Sequence, residues 1–422
     1  MKIILYHPTG NTNVRAVAES LREENILAGF YTTIASYPSN LWYRLSKVRG
    51  FNELDRRGYD ANLKSFIKCF PWYELGRSIC SKAGLKKMVR HEKGIFCVDN
   101  VYKSLSKYAA AQLEMETKTG ATAVYAYEDG ALEIFEKAKA LGLTCIYDLP
   151  IAYWETGRRL MQEEAIRLPS WASTLGGGIQ DSKEKLDRKK RELELADVVV
   201  GPGSFVMNSL PDWANKKKLI ISAFGSPKVV HQTESYQEKP ISRNPMRVLF
   251  VGSMGQRKGL GDLFSAMKLL NNKHIELIVL GSLFAPMDFY RKEFPYFIYE
   301  RNRSHSEVLK LMRTCDIFCL PSIVEGRALV MQEAMSQGLP LIITANTGGE
   351  DLISEEETRF LVPIRSPEKI AEKIQWFYKN RHKIPEMGEK CKILAQTYTW
   401  KNYGKKIVEN LRDYSSNTKR GL

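Results

Sequence analysis

The sequence predicts an α/β protein of two parallel-sheet domains, and three features predict it. Short apolar runs ending in Gly, Pro, Asp or Glu alternate with segments of helical period, the rhythm of βαβ units. That rhythm is clear over 3–21, 121–148 and 246–349, and it stops at the polar, proline-containing stretch 226–245. The chain has 422 residues, more than one hydrophobic core ordinarily serves. The expected division is an N-terminal Rossmann-like domain over 1–225, a linker over 226–245, a C-terminal Rossmann-like domain over 246–395, and a terminal helical segment over 396–422.

The first buried run, Ile3–Tyr6, leads into a loop containing Gly10 and then an amphipathic helix with Val14, Val17 and Leu21. In an open α/β sheet such a loop faces the ligand crevice, so Gly10 is a candidate binding residue; an ordinary strand–helix turn has the same composition. Residues 31–94 read as several helices punctuated by Pro38 and Pro71. From residue 121 a strand runs to Tyr127, followed by Glu128-Asp129-Gly130, a helix, and a strand ending at Asp148. This unit puts Glu128, Asp129 and Asp148 at carboxyl ends of strands, where ligands bind. Asp148 reads either as a general base or acceptor-orienting group, or as a helix cap. A charged helix over 181–196 precedes a buried strand, Val198–Gly201, and the second domain opens with a strand over 247–251. Near the end, Trp400, Tyr403, Ile407 and Leu411 stand at helical spacing.

The net charge is +15. Between Arg44 and Lys93 thirteen Lys and Arg face five Asp and Glu, an excess of +8 interleaved with Trp42, Tyr43, Phe51, Phe66, Phe70, Trp72 and Tyr73. Three readings compete here: solvated helix faces over aromatic cores, a nucleic-acid surface, or a patch for an anionic membrane. No nucleic-acid-binding motif accompanies the charge, so nucleic acid is not expected as a partner; basic and aromatic helices suit anionic lipid. Seven scattered cysteines without a C-x-x-C pair suggest free thiols in a reducing cytosol, and Cys315 and Cys319 flank an apolar strand start rather than a metal site. No run of eighteen apolar residues occurs, so neither a membrane span nor a signal peptide is expected and a cytoplasmic, at most peripheral, protein is.

The most informative stretch runs from Leu320 to Gly349. An apolar run ends at Leu320-Pro321-Ser322, Glu325 follows in a loop, Glu333 lies eight positions on in a helical segment, and a second apolar run ends before Gly348-Gly349. A glutamate pair at a helix start is ordinarily a cap plus a solvated face. Here Gly326 follows the first glutamate, Ala334-Met335 the second, and Gly338-Leu339-Pro340 the helix. With these neighbours the stretch resembles the E-x7-E signature of retaining, nucleotide-sugar-dependent glycosyltransferases of the two-domain GT-B fold, specifically glycosyltransferase family 4. That family often carries a histidine at or near Tyr147 and an arginine at Ser253, and this chain has neither.

The loop opening with Gly252, Gly255, Gly259 and Gly261 carries Arg257-Lys258 and runs into a helix with Leu263, Met267 and Leu270. Glycines allow close approach, a helix N-terminus offers free N–H groups, and two cations add charge, a combination that suits a diphosphate; a basic turn capping an exposed helix is the plainer reading of Lys258 alone. No D-x-D motif is present to hold a metal. The resemblance therefore implies metal-independent transfer, in which Arg257 and Lys258 meet the charge growing on the departing diphosphate. It further implies that Glu333 holds the donor's ribose, and that Glu325, Gly252, Ser253, Gly255 and the backbone of the segment Gly326, Arg327, Ala328, Leu329 hold sugar and phosphates. No cofactor is expected beyond the nucleotide-sugar co-substrate. The acceptor would be a glycan or lipid-linked hydroxyl compound in bacterial surface-polysaccharide or glycolipid synthesis, met at the membrane through residues 42–93. A soluble acceptor, or a non-catalytic nucleotide-sugar-binding protein, are the alternatives. The resemblance also implies that the last helix crosses back onto the first domain; a plain terminal helix on the second domain is the alternative. His305 reads as a helix-start residue.

Overall fold

Strands that are apolar at nearly every position are buried on both faces, and such strands build parallel sheets covered by helices. The computed structural model, which describes residues 1–38, 40–47, 54, 57–227, 245–352 and 359–420, contains two such sheets. The first comprises β1 (Ile3–Tyr6), β2 (Leu27–Thr32), β3 (Ile67–Cys69), β4 (Ala123–Tyr127), β5 (Thr144–Asp148), β6 (Val198–Gly201) and β7 (Lys218–Ile221) in the order β3-β2-β1-β4-β5-β6-β7. The second comprises β8 (Met246–Val251), β9 (Ile275–Leu280), β10 (Phe297–Glu300), β11 (Ile317–Leu320), β12 (Leu341–Ile343) and β13 (Arg359–Leu361) in the order β10-β9-β8-β11-β12-β13. Every pairing is parallel. The strand order reverses at β1/β4 and at β8/β11, and the crevices beyond those strands are where ligands of doubly wound sheets bind.

Two departures from the expected elements bear on function. Residues 31–94 contain, besides helices, the edge strand β3, whose three half-buried residues are too few to show a period. The expected linker and part of the basic stretch, residues 228–244, 48–53, 55 and 56, lie outside the described residues.

Two segments tie the domains together. The helix Trp400–Arg420 returns to the first sheet, where Tyr403, Ile407, Val408 and Leu411 are buried in the core beside the helix Thr12–Glu23. Gly404 permits that approach, since a Cβ there would overlap Ser20 Oγ. In the opposite direction Trp171, which precedes β6 in the first domain, is 2% exposed inside the second domain's core. It meets Phe289 edge-on at 4.9 Å and Phe264 and Tyr290 at 5.8 Å. Beside it the fully buried Glu164 accepts from Arg167 (2.6 Å) and Gln256 (2.8 Å), and Arg167 bonds both oxygens of Asp262 at 2.9 Å. Each domain thus places an element in its partner's core.

Candidate active site

The turn after β8 is drawn against the end of β11. Gly259 adopts φ 74°, and a Cβ there would overlap the Pro321 carbonyl, so the turn Gln256–Lys258 lies directly on the following strand's exit. Ile323 N donates to Arg257 O at 2.9 Å and locks the two loops together. As a result three candidates far apart in sequence converge: Arg257 Nη1 donates to Glu325 Oε1 (2.7 Å) and to Val324 O (3.0 Å), and Lys258 Nζ pairs with the same carboxylate oxygen. Burial lowers the Lys258 pKa, and Glu325 opposes that shift while Arg257 adds to it. Two cations against one carboxylate leave an excess positive charge, which suits an anionic ligand.

The glycine-rich loop does not offer its backbone as expected. Gly252 N–H is used by Leu280 O (2.9 Å) and Gly255 N–H by Ser253 O (2.8 Å), while Gly255 itself is pressed on the Thr174 carbonyl. The helix after it, Leu260–Leu270, is likewise closed: Gln256 Oε1 accepts from Gly261 N (2.9 Å), and the buried Asp262 occupies its first turn. The helix dipole there is met by the protein's own carboxylate, so the positive charge on this side is that of the Arg257 and Lys258 side chains.

The second helix start, Leu329–Ser336, is different. Among the described residues no protein group accepts from the N–H of Arg327 or Leu329, while Ala328 N is taken by Thr347 O at 3.1 Å. The Arg327 side chain is not aimed at a donor. It is buried, bonding Gln332 (3.0 Å), Gly348 O (2.9 Å) and Asp351 (2.6 Å) beneath the Tyr398 ring, so it is a strut for the loop at Gly348 and only its backbone is available. Glu333, whose pKa is raised by burial, accepts from His305 Nε2 at 3.1 Å. His305 is the first residue of the helix His305–Met312, and the sequence holds no sign of its pairing with a glutamate 28 positions away.

Opposite these loops the first domain contains a cavity of 1640 Å³. Its lining comes from the loop after β1 (His7 and 9–13), from Tyr127-Glu128-Asp129, from Pro150-Ile151, and from a long wall between Trp42 and Ala83. Leu329 and Trp400 complete it. From the basic, aromatic stretch, Trp42, Arg57, Arg77 and Lys82 are among the residues that line this cavity. Gly10 sits on this wall, at φ 60° against the Tyr59 hydroxyl, not with the Arg257–Glu325 cluster. The two sides meet where Gly326 lies against the Pro150 carbonyl and Ala152 N donates to Glu325 O at 3.3 Å.

Asp148 does not line that cavity. It is 1% exposed, on the face of β5 turned toward the helix Trp400–Arg420, and accepts from Tyr125 Oη at 2.5 Å, with the hydroxyls of Tyr127 and Tyr403 nearby. Burial raises its pKa to about 7. Neither a base at the cleft nor a helix cap describes it; it is a carboxyl group inside the core that joins the crossing helix to the sheet. What sequence reading missed is His7, whose only signal was its place directly after β1, and Glu192, fully buried, which accepts from Asp129 N and Ala131 N at 3.0 Å. Glu128 is paired with Lys189 at 3.1 Å.

With this geometry in place, residues 231–398 match the family model for glycosyl transferases group 1. The capsular polysaccharide biosynthesis glycosyltransferase CapM of Staphylococcus aureus is 26% identical over 177 residues, 38% of this chain and 46% of that one. The chain spans about half the length of curated relatives of this kind. Sucrose-phosphate synthase from Thermosynechococcus elongatus superposes with a TM-score of 0.64 at 16% identity, covering 99% of this chain and 100% of that one. HepE of Anabaena, solved with UDP and glucose, superposes with a TM-score of 0.57 at 14% identity over 98% and 99% of the two chains. The chain has the GT-B fold, and the match to glycosyl transferases group 1 falls on its second half.

Proposed function

We propose that this protein is a retaining glycosyltransferase that moves a sugar from a nucleotide diphosphate sugar to a hydroxyl acceptor without a metal. The observation that carries the reading is the convergence of Arg257 and Lys258 on Glu325, whose loop also carries the unclaimed N–H groups of Arg327 and Leu329, with Leu329 lining the large cavity. In the proposed reaction the bond from the anomeric carbon to the phosphate oxygen breaks as the acceptor oxygen forms its bond on the same face. The acceptor's proton passes to the departing phosphate oxygen. Arg257, Lys258 and the two N–H groups take the negative charge growing on the diphosphate, where oriented donors are worth most. Glu325 is engaged by both cations, which suits a holding role rather than that of a nucleophile. Glu333 accepts from the ribose hydroxyls, since a carboxylate takes two O–H donors at once.

The proposed acceptor is membrane-held, of surface-polysaccharide or glycolipid type. Support comes from the surface between Trp72 and Ile95, which reaches the cavity at Ile79 and Lys82 and where Trp72, Ile79, Leu85, Met88 and Ile95 are exposed among Lys82, Lys86, Lys87, Arg90 and Lys93, and from the function in CapM's name.

A thermal-shift screen of UDP, GDP, ADP and their sugars identifies the donor, since a ligand of the native state raises its melting temperature. Turnover of that donor is then compared in Lys258→Ala and Glu325→Gln; unchanged turnover in both variants removes the site assignment. Sedimentation with phosphatidylglycerol vesicles tests the membrane reading, which ends if no binding occurs at low salt.

A further inference from the structure

We infer that His7 is a positioning residue of the acceptor site, its Nε2–H a fixed hydrogen-bond donor to an oxygen of the acceptor substrate. The inference rests on the glycosyl-transfer reading and names the contact by which the first domain would hold its substrate.

The imidazole is 4% exposed, lies at the carboxyl end of β1 and lines the cavity. Its Nδ1 accepts from two backbone donors, Thr9 N at 3.0 Å and Gly10 N at 2.9 Å. An imidazole nitrogen that accepts carries no proton, so the neutral ring holds its proton on Nε2. Tyr127 meets the ring edge-on at 4.7 Å and Tyr102 at 6.1 Å, which limits its rotation. Among the described residues no protein group is bonded to Nε2, and it is not one of the buried polar atoms left without a partner, so it is accessible from the cavity that the ring lines. The available partner is an oxygen of whatever fills the cavity.

The same geometry excludes His7 as the general base, because Nδ1 is occupied and Nε2 already bears the proton. Burial and the nearby Arg57 push its pKa down to about 3, which keeps that state across the physiological range. Arg57 lines the same wall, so the oxygen received belongs either to a neutral hydroxyl or to a phosphate group.

The test uses the full chain with ¹⁵N-labelled histidine, His7→Asn identifying the His7 signals. Asn places an oxygen near the Nδ1 position and keeps the loop's acceptor, but has no donor where Nε2 lies; His7→Gln does the reverse. The wild type is expected to show an Nε2–H tautomer that does not titrate between pH 5 and 8. Its Nε2 resonance should move on addition of methyl α-glucoside, which tests the hydroxyl source, or inorganic phosphate, which tests the anion source. His7→Asn should weaken binding of the effective probe about tenfold, the loss expected for one hydrogen bond, and His7→Gln less. Both variants should still be stabilised by the nucleoside diphosphate that stabilises the wild type. A titrating ring, an Nδ1–H tautomer, no response to either probe, or wild-type probe binding in His7→Asn overturns the inference. If no nucleotide stabilises the wild type, the glycosyl-transfer reading fails, a result separate from the His7 measurements.

Discussion

The two walls of the cleft are built in opposite ways. The donor wall comes from two loops, after β8 and after β11, and its charged groups are already joined: Arg257 and Lys258 on Glu325. The wall proposed for the acceptor is gathered from His7, residues 9–13, Trp42, Leu45, Leu54, Arg57, several residues between Glu74 and Ala83, 127–129, 150–151 and Trp400, with no common motif. The difference follows from what each wall would bind. A diphosphate poses one electrostatic problem, which one turn with two cations answers locally; an acceptor of particular shape needs contacts from many directions, which only folding brings together.

This comparison can be broken by experiment. The largest effect is expected at the joint between the walls. Trp171→Ala removes a fully packed indole from the second domain's core and should cost about 3–5 kcal/mol, read as a lower denaturant midpoint. A loss under about 1 kcal/mol, on the scale of surface changes, would mean the domains are not tied through Trp171. On the donor wall, Lys258→Met should lower turnover of the identified donor by about 10²–10³, the usual size for one oriented charge-stabilising group. A similar loss in nucleotide affinity without loss of turnover would give Lys258 a binding role only.

Gly326→Ala tests the contact between the walls. A Cβ there would overlap the Pro150 carbonyl, and relieving such overpacking costs about 1–3 kcal/mol. The strain should appear as weaker acceptor use, with nucleotide binding retained as thermal shift; loss of nucleotide binding instead would place the damage on the donor side.

The smallest effect on activity is expected at Asp148. Its folded pKa is raised, to about 7 from 3.8, so its contribution to stability is full below pH 3.8 and is lost as pH rises through about 7. Asp148→Asn, which mimics the protonated form, should therefore melt higher than the wild type at pH 8 and gain less at pH 5. Turnover should stay within about twofold; a loss of about 10²-fold, the scale of general-base removal, with an intact melting curve would return Asp148 to the chemistry.

Much of the donor side was legible because its signals are local. Arg257, Lys258 and Glu325 stand in short turns whose glycines and apolar flanks mark strand exits, and Glu333 lies on the helix that follows one of them. Within that side Arg327 was expected to act through its backbone, which stays available, while its long side chain, about which the motif says nothing, turns inward against Gly348 and Tyr398. Gly252, Gly255 and the helix Leu260–Leu270 misled, since backbone N–H groups that look free in a turn were taken by Leu280, Ser253 and Gln256. On the acceptor side little was legible. The stretch 42–93 showed its charge but not that some of its residues line a cavity, and His7 had no periodic or motif signal at all.

What the sequence by itself determined is the doubly wound α/β character, the strands that carry the site, and the two cations and the glutamate turn as separate candidates. These follow from burial period and turn chemistry, which act over a few residues. Tertiary structure alone decided that Asp148 faces the crossing helix, that Trp171 enters the other domain's core and that His7 faces the cavity with one nitrogen fixed. Those outcomes depend on strand register and on packing between residues far apart in the chain, and a side chain's direction is settled only when its distant neighbours are in place.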